Sequence, residues 1–419
     1  MRDFSPASMV LREYLLGIIK ETAQKNGYQL IDTPSVESIE NLTSNEGGEN
    51  ESLVFKILKR GQTLANSIEL NEELSDCGLR YDLTVPLARY FANNQNILSL
   101  PLKTLQIGWV WRADRPQKGR YRQFISCDVD VLGDDSVLAE IDIILTASEI
   151  FKKIFENANI PGFKIHLNDR RILIAAATFA GFKDNEYNSV LIALDKKDKI
   201  GMSGVKDELL RMSFNADVVD RFIGIFEKSN TCSSVSEFCS SFSNDLLEDS
   251  VIASLQKIID VVGNFLTPPC PPQRGGGSCI IFDPTLVRGM GYYTGPIFEC
   301  IADDFPSSIA GGGRYDKMIG KISGGTNVPA CGFGIGFERI VAMLEDKGFV
   351  PNSIYNLKKH AILIEKNITP QQLQNAIEKA TQLREEGQIA SVLPMNKNIK
   401  HQITMLEKEG YNSFIKIHS

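Results

Sequence analysis

Helical and strand-like patterns are distributed unevenly along this chain of 419 residues, and that distribution restricts its fold. Short apolar runs that are typical of strands occur in residues 1–170 and return at 279–336. They do not alternate regularly with helices, as the strands of a parallel sheet would. Residues 171–265, in contrast, show mostly the apolar spacing of helices. The pattern predicts an α+β core with an antiparallel-rich sheet and an inserted helical domain.

A second pattern begins beyond Pro351, where strand and helix patterns alternate to the end of the chain. This alternation is typical of a small α/β domain with parallel strands. The predicted organisation therefore has three parts. They are a core made of residues 1–170 and 266–350, a helical insertion at 171–265, and a C-terminal α/β domain at 357–419.

The net charge of −7 argues against a general nucleic-acid-binding protein, but the basic residues are concentrated in two places. Residues 111–124 contain five basic residues and one acidic residue, and residues 357–419 contain nine basic and six acidic residues. Such local clusters of basic residues are typical of a protein that binds a polyanion at a few restricted sites. The sequence has no apolar run of roughly 18 residues and no apolar segment typical of a secretory signal. We therefore expect a cytoplasmic protein without a membrane span.

Neither the eight cysteines nor the four histidines form a recognisable metal motif. The cysteines make no CxxC pair and the histidines no HExxH pattern, which argues against a zinc ribbon and against a catalytic metal bound by histidine. We expect reduced thiols rather than a disulfide framework in a chain of this length.

Four segments carry residues that are suited to chemistry. The first, WRADRPQKGRYRQF (111–124), has the pattern of strand, basic loop and strand, and guanidinium groups match phosphate oxygens in geometry. The other three are rich in glycine: LVRGMGYYTG (286–295), AGGGRYD (310–316) and GFGIGFER (332–339). Glycine permits close approach to a ligand, and alternating glycines make a flat strand surface for a planar base. Taken singly, each segment could equally be a solvated basic hairpin or a turn between strands.

In their order and amino-acid sequence, the four segments resemble those of the class II aminoacyl-tRNA synthetases, and among them those of the histidyl-tRNA synthetase family. RADRPQKGRYRQF is similar to motif 2 of the class and GFGIGFER to motif 3, whereas LVRGMGYYTG and AGGGRYD are similar to two signatures of the histidyl enzymes. RDFSP, GGENESLVFKILKRGQ and LRYDLTVPLARY also match, so the resemblance covers residues 2–346 and continues more loosely after 357. It implies a class II synthetase fold and an enzyme that forms histidyl-adenylate from ATP and transfers histidine to tRNA(His).

For ATP, the resemblance implies several arginines and one aromatic ring. The residues implied in ATP binding are Arg112, Arg120, Arg122, Phe124 and Arg339. Arg112 would hold the α-phosphate, the other arginines the outer phosphates, and Phe124 would stack on adenine. Arg288 matches the histidyl-specific arginine between the substrate carboxylate and the α-phosphate, where a fixed cation stabilises the transition state. The predicted catalytic residues are Arg112, Arg288 and Arg339, and ATP chemistry implies Mg²⁺, for which the sequence identifies no ligands.

For the amino acid, the resemblance implies a pocket with acidic and phenolic groups. The residues implied in histidine binding are Asp82, Thr84, Ser126, Asp130, Arg288, Tyr292, Tyr293 and Tyr315. Asp82 and Thr84 match the positions that bind the α-amino group, whereas Asp130 and Tyr293 match those that bind the imidazole. A carboxylate at one ring nitrogen and a phenol at the other would exclude isosteric apolar amino acids.

The resemblance also implies macromolecular partners. Gln117 and Lys118 lie on the loop that is expected to touch the acceptor end of tRNA(His). The C-terminal domain is similar to the family's anticodon-binding domain, although it stops after its third strand and is shorter than usual. A homodimer is expected, because class II cores of this type pair through their first motif. A second departure is Ser126, which stands where the family usually has a glutamine and is too short to reach as far without a water or a neighbour.

The main alternative is a catalytically inactive relative such as the regulatory subunit of ATP phosphoribosyltransferase, which shares the class II fold. Such a subunit lacks the C-terminal domain and has no need for the complete set of phosphate-binding arginines. The presence of Arg112, Arg288 and Arg339 together with the α/β tail favours the enzyme. An unrelated sugar-binding or nucleotide-binding module would not explain the joint spacing of the four segments.

Overall fold

The computed structural model describes residues 1–43, 51–115, 119, 121–228, 234–240, 242, 246–266, 279–288, 291–303, 305, 307–323, 325, 327–351 and 357–418. By internal contacts the chain divides into two compact units. One comprises Met1–Asp3 and Leu15–Gly348, and the other comprises Phe4–Tyr14 and Phe349–Ser419.

The first unit is built on β-strands that lie on both sides of a helical stretch in the sequence. Its strands are β1 (Gln29–Ile31), β2 (Val36–Ser38), β3 (Phe55–Leu58), β4 (Ser75–Leu79), β5 (Leu102–Trp111), β6 (Gln123–Leu132), β7 (Phe163–Asp169), β8 (Ile280–Phe282), β9 (Pro296–Ala302), β10 (Ser308–Arg314) and β11 (Ala330–Ile335). Eight of them form one sheet in the order β1-β5-β6-β11-β10-β9-β7-β8, and a smaller sheet has the order β2-β4-β3.

Most neighbours in the large sheet are antiparallel, which confirms the predicted α+β core. The exceptions are the outermost pairs, β1 with β5 and β7 with β8, which are parallel. Strands β5 and β6 are joined by the basic segment and pair along their whole length, from Leu102 opposite Leu132 to Trp111 opposite Gln123. This long hairpin carries the basic segment at its tip.

The helices connect and cover these strands. In chain order they are α1 (Pro6–Lys25), α2 (Ile39–Thr43), α3 (Gly61–Glu69), α4 (Thr84–Asn94), α5 (Leu138–Ala158), α6 (Arg170–Ala180), α7 (Tyr187–Asp195), α8 (Lys197–Arg211), α9 (Ala216–Lys228), α10 (Val235–Cys239), α11 (Asp249–Leu266), α12 (Met318–Ser323) and α13 (Phe337–Asp346). Helix α5 packs against β6, β11 and α11. It buries Ile143, Ile150 and Ile154, whose spacing places them on one face of the helix.

The helical stretch α6–α11 has an aromatic core of its own. Phe222 meets Phe182 and Phe226 edge to face, with ring centroids 5.5 and 4.9 Å apart. Phe238 lies 5.8 Å from Phe282 of β8, so the same cluster continues to the edge of the large sheet. Edge-to-face contacts of this kind add to the hydrophobic stabilisation of a core. The helices are thereby attached to β8, the strand at which the large sheet resumes after the helical stretch.

The C-terminal part of the second unit contains the predicted alternation. Its elements are β12 (Lys359–Ile364), α14 (Pro370–Glu385), β13 (Ile389–Pro394), α15 (Ile399–Lys408) and β14 (Ser413–Ile417). β12 lies between β13 and β14 and is parallel to both, as the alternation predicted. Helix α14 begins with a capping box, in which Thr369 and Gln372 bind each other's backbone N–H groups.

Two expectations about the chain as a whole can be checked. Of the helices in the described ranges, none is both long and apolar enough to cross a membrane. The expectation of reduced thiols is wrong at Cys279, which is disulfide-bonded.

One buried ion pair connects helix α5 to the end of β10. Arg314 donates from Nε and Nη2 to the two carboxylate oxygens of Glu140, at 2.6 and 2.8 Å. Its guanidinium also donates to the backbone oxygens of Asp134 and Ser136, both at 3.0 Å. The arginine of the AGGGRYD segment therefore has a structural role, because it fixes the turn after β6 against the glycine-rich strand.

Arg314→Met is expected to lower the free energy of unfolding by about 3–5 kcal/mol, since Glu140 would be left buried without its counter-ion. The matched control is Lys206→Met, which breaks the exposed Lys206–Asp220 pair and should leave the unfolding midpoint close to that of the wild type. Urea unfolding of both variants measures the difference. Similar losses in the two variants would contradict the structural role of Arg314.

Candidate active site

Strand β6 supplies the polar side chains of the site through its alternation. Phe124, Ser126, Asp128 and Asp130 are every second residue, so they share one face of the sheet. Asp130 lies opposite Gly332 of β11, and a Cβ at that glycine would come within 1.8 Å of Asp130 Oδ1. The carboxylate can therefore lie over β11 only because position 332 has no side chain.

On β10, too, a glycine allows a charged side chain to lie directly over the strand. A Cβ at Gly311 would lie 2.4 Å from Arg288 Nη1, so the arginine of the LVRG segment extends across a glycine. Gly311 lies opposite Glu299 of β9, and Glu299 Oε1 accepts a hydrogen bond from Arg288 Nη1 at 2.9 Å. The glycine-rich strands thus form a floor of backbone on which charged side chains from neighbouring elements rest.

These elements enclose one cavity of about 600 Å³ in the first unit. Eleven of the residues predicted from the sequence line it: Asp82, Thr84, Arg112, Phe124, Ser126, Asp130, Arg288, Tyr292, Tyr293, Tyr315 and Arg339. The three predicted catalytic arginines therefore share a single cavity. Arg122 is not among the lining residues, and its Nε donates to the backbone oxygen of Asp114 at 3.2 Å. Gln117, Lys118 and Arg120 lie outside the described residues.

Backbone carbonyls orient two of the arginines. Arg112 follows β5 and donates from Nε to the backbone oxygen of Tyr81 at 2.9 Å, with its guanidinium carbon 5.3 Å from the centre of the Phe124 ring. Arg339, in the first turn of α13, donates to the backbone oxygen of Ser308. Two cations beside an aromatic ring suit a nucleotide, whose phosphates are anionic and whose base is planar.

The same cavity is also lined by acidic and phenolic side chains. Tyr315 donates its hydroxyl to Asp130 Oδ1 at 2.6 Å, and the rings of Tyr292 and Tyr293 lie 4.7 Å apart beside it. Asp82 Oδ1 accepts the backbone N–H of Val85 at 3.1 Å, which holds this carboxylate at the start of α4.

Several buried polar atoms in this cavity have an unused hydrogen-bonding capacity. Within the described ranges, Asp82 Oδ2, Asp130 Oδ2 and Arg288 Nε are buried and have no hydrogen-bond partner. Unsatisfied buried groups are costly, and in native proteins they call for an explanation such as a ligand. Two carboxylate oxygens and one guanidinium nitrogen match a ligand that carries both positive and negative groups.

Burial and mutual repulsion change how the carboxyls titrate. Removal from water raises the pKa of Asp82 to about 6, against partial relief by the Val85 N–H and by Arg112. Burial, with the neighbouring Asp82 charge, raises the pKa of Asp128 to about 7. Burial and the Asp128 charge raise the pKa of Asp130 well above its ordinary value. A cationic ligand would favour the ionised forms of all three and would be bound more tightly for that reason.

The sequence reasoning missed five acidic residues that line the cavity: Asp114, Asp128, Asp195, Glu299 and Glu338. Asp128 shares the alternation of Ser126 and Asp130 on β6, so the period of two was a signal that could have found it. Glu299 pairs with Arg288 only because of the register between β9 and β10. Asp195 comes from the last position of α7, in the helical insertion, and no sequence motif marks it.

The described part of the chain contains no group of three or more His, Cys, Asp or Glu side chains arranged to hold a metal ion. Magnesium that accompanies a nucleotide is bound mainly through phosphates and water, with one or two carboxylates. We therefore assign no protein ligands to it.

Solved structures identify the fold. The fold matches a Bacillus halodurans protein described as an ATP phosphoribosyltransferase regulatory subunit/histidyl-tRNA synthetase, with a TM-score of 0.76, 20% identity and coverage of 100% of this chain and 97% of that one. It also matches histidyl-tRNA synthetase from Nostoc sp. PCC 7120, with a TM-score of 0.74, 24% identity and coverage of 100% and 90%. The antiparallel sheet with its glycine strand and arginines is the class II aminoacyl-tRNA synthetase fold.

Sequence comparison gives the family. The family sequence model described as Histidyl-tRNA synthetase matches residues 1–340 of this chain. A histidine–tRNA ligase of Leifsonia xyli is 42% identical over 82% of this chain and 79% of its own length. A probable histidine–tRNA ligase of Tropheryma whipplei is 36% identical over 99% and 94%. The chain belongs to the histidyl-tRNA synthetase family.

Gly332→Ala is expected to weaken histidine binding by at least about fivefold, because the new Cβ would displace the Asp130 carboxylate and overpacking of this kind costs about 1–3 kcal/mol. The control is Gly224→Ala in α9, where a Cβ would meet nothing within 4 Å. Calorimetric titration with histidine compares the two. Unchanged affinity in Gly332→Ala would show that the floor does not position Asp130.

The raised pKa values of Asp82 and Asp128 predict a pH dependence of stability. Because the folded state holds these protons more tightly than the unfolded state, their contribution to the free energy of unfolding falls as pH rises from 3.8 to about 7. Asp128→Asn should remove part of this fall. Denaturant unfolding of wild type and variant at several pH values between about 4 and about 8 measures the difference, and parallel curves would contradict it.

Proposed function

We propose that this chain is a histidine–tRNA ligase, which activates L-histidine with ATP and transfers it to tRNA(His). The supporting observation is the single cavity of about 600 Å³ in which Arg112, Arg288 and Arg339 meet the acidic group that includes Asp82 and Asp130. Arginines suit the triphosphate and the α-carboxylate, whereas carboxylates suit the α-ammonium group and the imidazole.

Histidine would be recognised by the acidic and phenolic side chains. The free Oδ2 of Asp130 accepts one ring N–H of the imidazole, and the Tyr293 hydroxyl faces the other nitrogen. Tyr315 holds Asp130 in position through its 2.6 Å hydrogen bond. An amino acid without these ring nitrogens would leave a buried carboxylate unpaired, and that penalty makes selection strong.

Activation joins two anions, and the arginines make this possible. An oxygen of the α-carboxylate bonds to the α-phosphorus of ATP, the bond to the bridging oxygen breaks, and pyrophosphate leaves with the electron pair. Arg112 would hold the α-phosphate beside Phe124, Arg339 the outer phosphates, and Arg288 the region between carboxylate and phosphorus. Fixed cations stabilise the charge that develops there without having to reorganise. Mg²⁺ that accompanies ATP would shield the phosphates.

Transfer requires the macromolecular partner. A ribose hydroxyl at the 3′ end of tRNA(His) bonds to the carbonyl carbon of histidyl-adenylate, and AMP leaves. Gln117 and Lys118 belong to the loop proposed to meet the acceptor end, Arg120 and Arg122 to the residues proposed for the outer phosphates, and residues 357–419 to the domain proposed to read the anticodon. A cytoplasmic homodimer is the proposed working form.

A regulatory subunit without ligase activity is the second candidate, since one matching structure is described in both ways. The intact arginine set favours the ligase. Amino-acid-dependent exchange of labelled pyrophosphate into ATP distinguishes them. Exchange that requires histidine, and is not supported by other amino acids, is the expected result. Absence of exchange with every amino acid would overturn the ligase assignment.

Arg288→Ala is expected to leave ATP binding nearly intact and to reduce histidyl-adenylate formation by at least ~100-fold, because one fixed charge-stabilising donor is lost. Arg211→Ala, at an exposed position of α8, is the control and should keep the wild-type rate. Single-turnover adenylate formation measures the step. A rate for Arg288→Ala equal to that of the control would rule out the proposed role.

A further inference from the structure

Asp128 is one of the cavity carboxylates that have no role in the activity proposed above. Asp128 lies on β6 between Ser126 and Asp130 and borders the cavity, although only 7% of its surface is exposed. Its Oδ1 accepts the Ser126 hydroxyl at 2.5 Å. A buried, oriented carboxylate of this kind is costly unless a cation or further donors complete it.

The elements around Asp128 provide no cation in direct contact within the described residues. On β11 it lies opposite Gly334, and on β5 it lies opposite Gln106. The Gln106 amide donates to the backbone oxygen of Leu83 at 3.1 Å. The strands on both sides therefore leave the Asp128 carboxylate directed to the cavity.

The charged groups that act on Asp128 come from several elements. Asp82, before α4, and Asp130, on β6, are negative, whereas Arg80 and Arg112 are positive. Arg80 uses its guanidinium on the backbone oxygens of Trp109 and Thr33. Arg112 is oriented by the Tyr81 carbonyl. Asp82 and Asp128 border the same cavity and repel each other as like charges, whereas both arginines donate hydrogen bonds to backbone oxygens.

We propose that Asp128 joins Asp82, which the family resemblance already implies at the α-amino group, as a second acceptor for the α-ammonium group of the amino-acid substrate, and that Ser126 is the positioning residue for Asp128. The inference rests on the proposed function and adds a substrate-binding residue to the same site. An ammonium group has three N–H donors. Asp82 Oδ2, which is buried and has no partner in the described ranges, accepts one of them, and Asp128 accepts a second. Asp130 is tied to Tyr315 and remains for the imidazole.

This assignment gives Ser126 a function although its side chain is short. A glutamine at this position would reach the ligand itself, whereas the serine hydroxyl reaches Asp128 two residues along the same strand face. The contact with substrate is then made by the carboxylate that Ser126 orients. An ionised acceptor makes a stronger hydrogen bond to an ammonium group than a neutral amide does.

The test uses two ligands that differ in the amino group. Histidinol keeps the ammonium and imidazole groups and lacks the carboxylate, whereas 3-(imidazol-4-yl)propionate lacks the ammonium group. With Asp128→Asn, histidinol is expected to bind at least about tenfold more weakly, as for loss of one charge-assisted hydrogen bond, and the propionate less than about twofold. Ser126→Ala should weaken the binding of histidinol, and not that of the propionate, by less than Asp128→Asn does. Ser126→Thr, which keeps the hydroxyl group, should bind histidinol as the wild type does. Calorimetric titration of the full chain measures all affinities.

Asp135→Asn, at an exposed position in the turn after β6, is the control and should bind both ligands as wild type does. Equal losses for both ligands in Asp128→Asn would overturn the inference, because they would indicate a role at the imidazole or in folding. Unchanged histidinol affinity would overturn it as well. If the wild-type protein binds histidine and supports pyrophosphate exchange, the proposed function stands even when the results for Asp128→Asn overturn the inference. If the wild-type protein binds none of the three ligands, both the proposed function and the inference are overturned.

Discussion

The close approach of charged side chains to a strand surface is the constraint on which this site depends. Arg288 extends over Gly311, and Asp130 lies over Gly332, at distances that a single additional carbon atom would forbid. Opposite charges can then occupy one cavity without intervening apolar side chains. The large sheet supplies the rigidity, because the backbone of β10 and β11 is hydrogen-bonded on both sides. The catalytic geometry is therefore set by main chain, and the chemistry by residues that come from elsewhere.

Positive and negative side chains reach the cavity from different elements of the fold. Arg112 and Arg339 come from the end of β5 and the beginning of α13, whereas the acidic residues come from β6 and the segment before α4. Burial makes the carboxylates difficult to ionise without a cation, and it makes the arginines favourable partners for anions. A zwitterionic amino acid next to a triphosphate satisfies both groups of side chains at once.

The sequence was sufficient for much of the fold and the site, and the limits are physical. Local spacing predicted the antiparallel-rich core and the parallel C-terminal sheet, because strand and helix periods are visible in a single segment. The motifs identified the arginines and tyrosines that the cavity brings together. Glu299 was missed because its position depends on strand register, and Asp195 because its position depends on how the insertion packs. The role of Arg314 was hidden for the same reason, since its partner Glu140 is distant in sequence.

The glycine floor has a consequence for how such a pocket could change its substrate. Positions 311 and 332 cannot gain side chains without displacing Arg288 or Asp130. Substitutions at these two positions of the floor would therefore disturb the site. Alternation on β6 leaves Ser126, Asp128 and Asp130 as the accessible positions. Redesign of amino-acid selectivity would therefore be confined to a single strand and the facing tyrosines, and natural drift in this pocket should be concentrated at the same few codons.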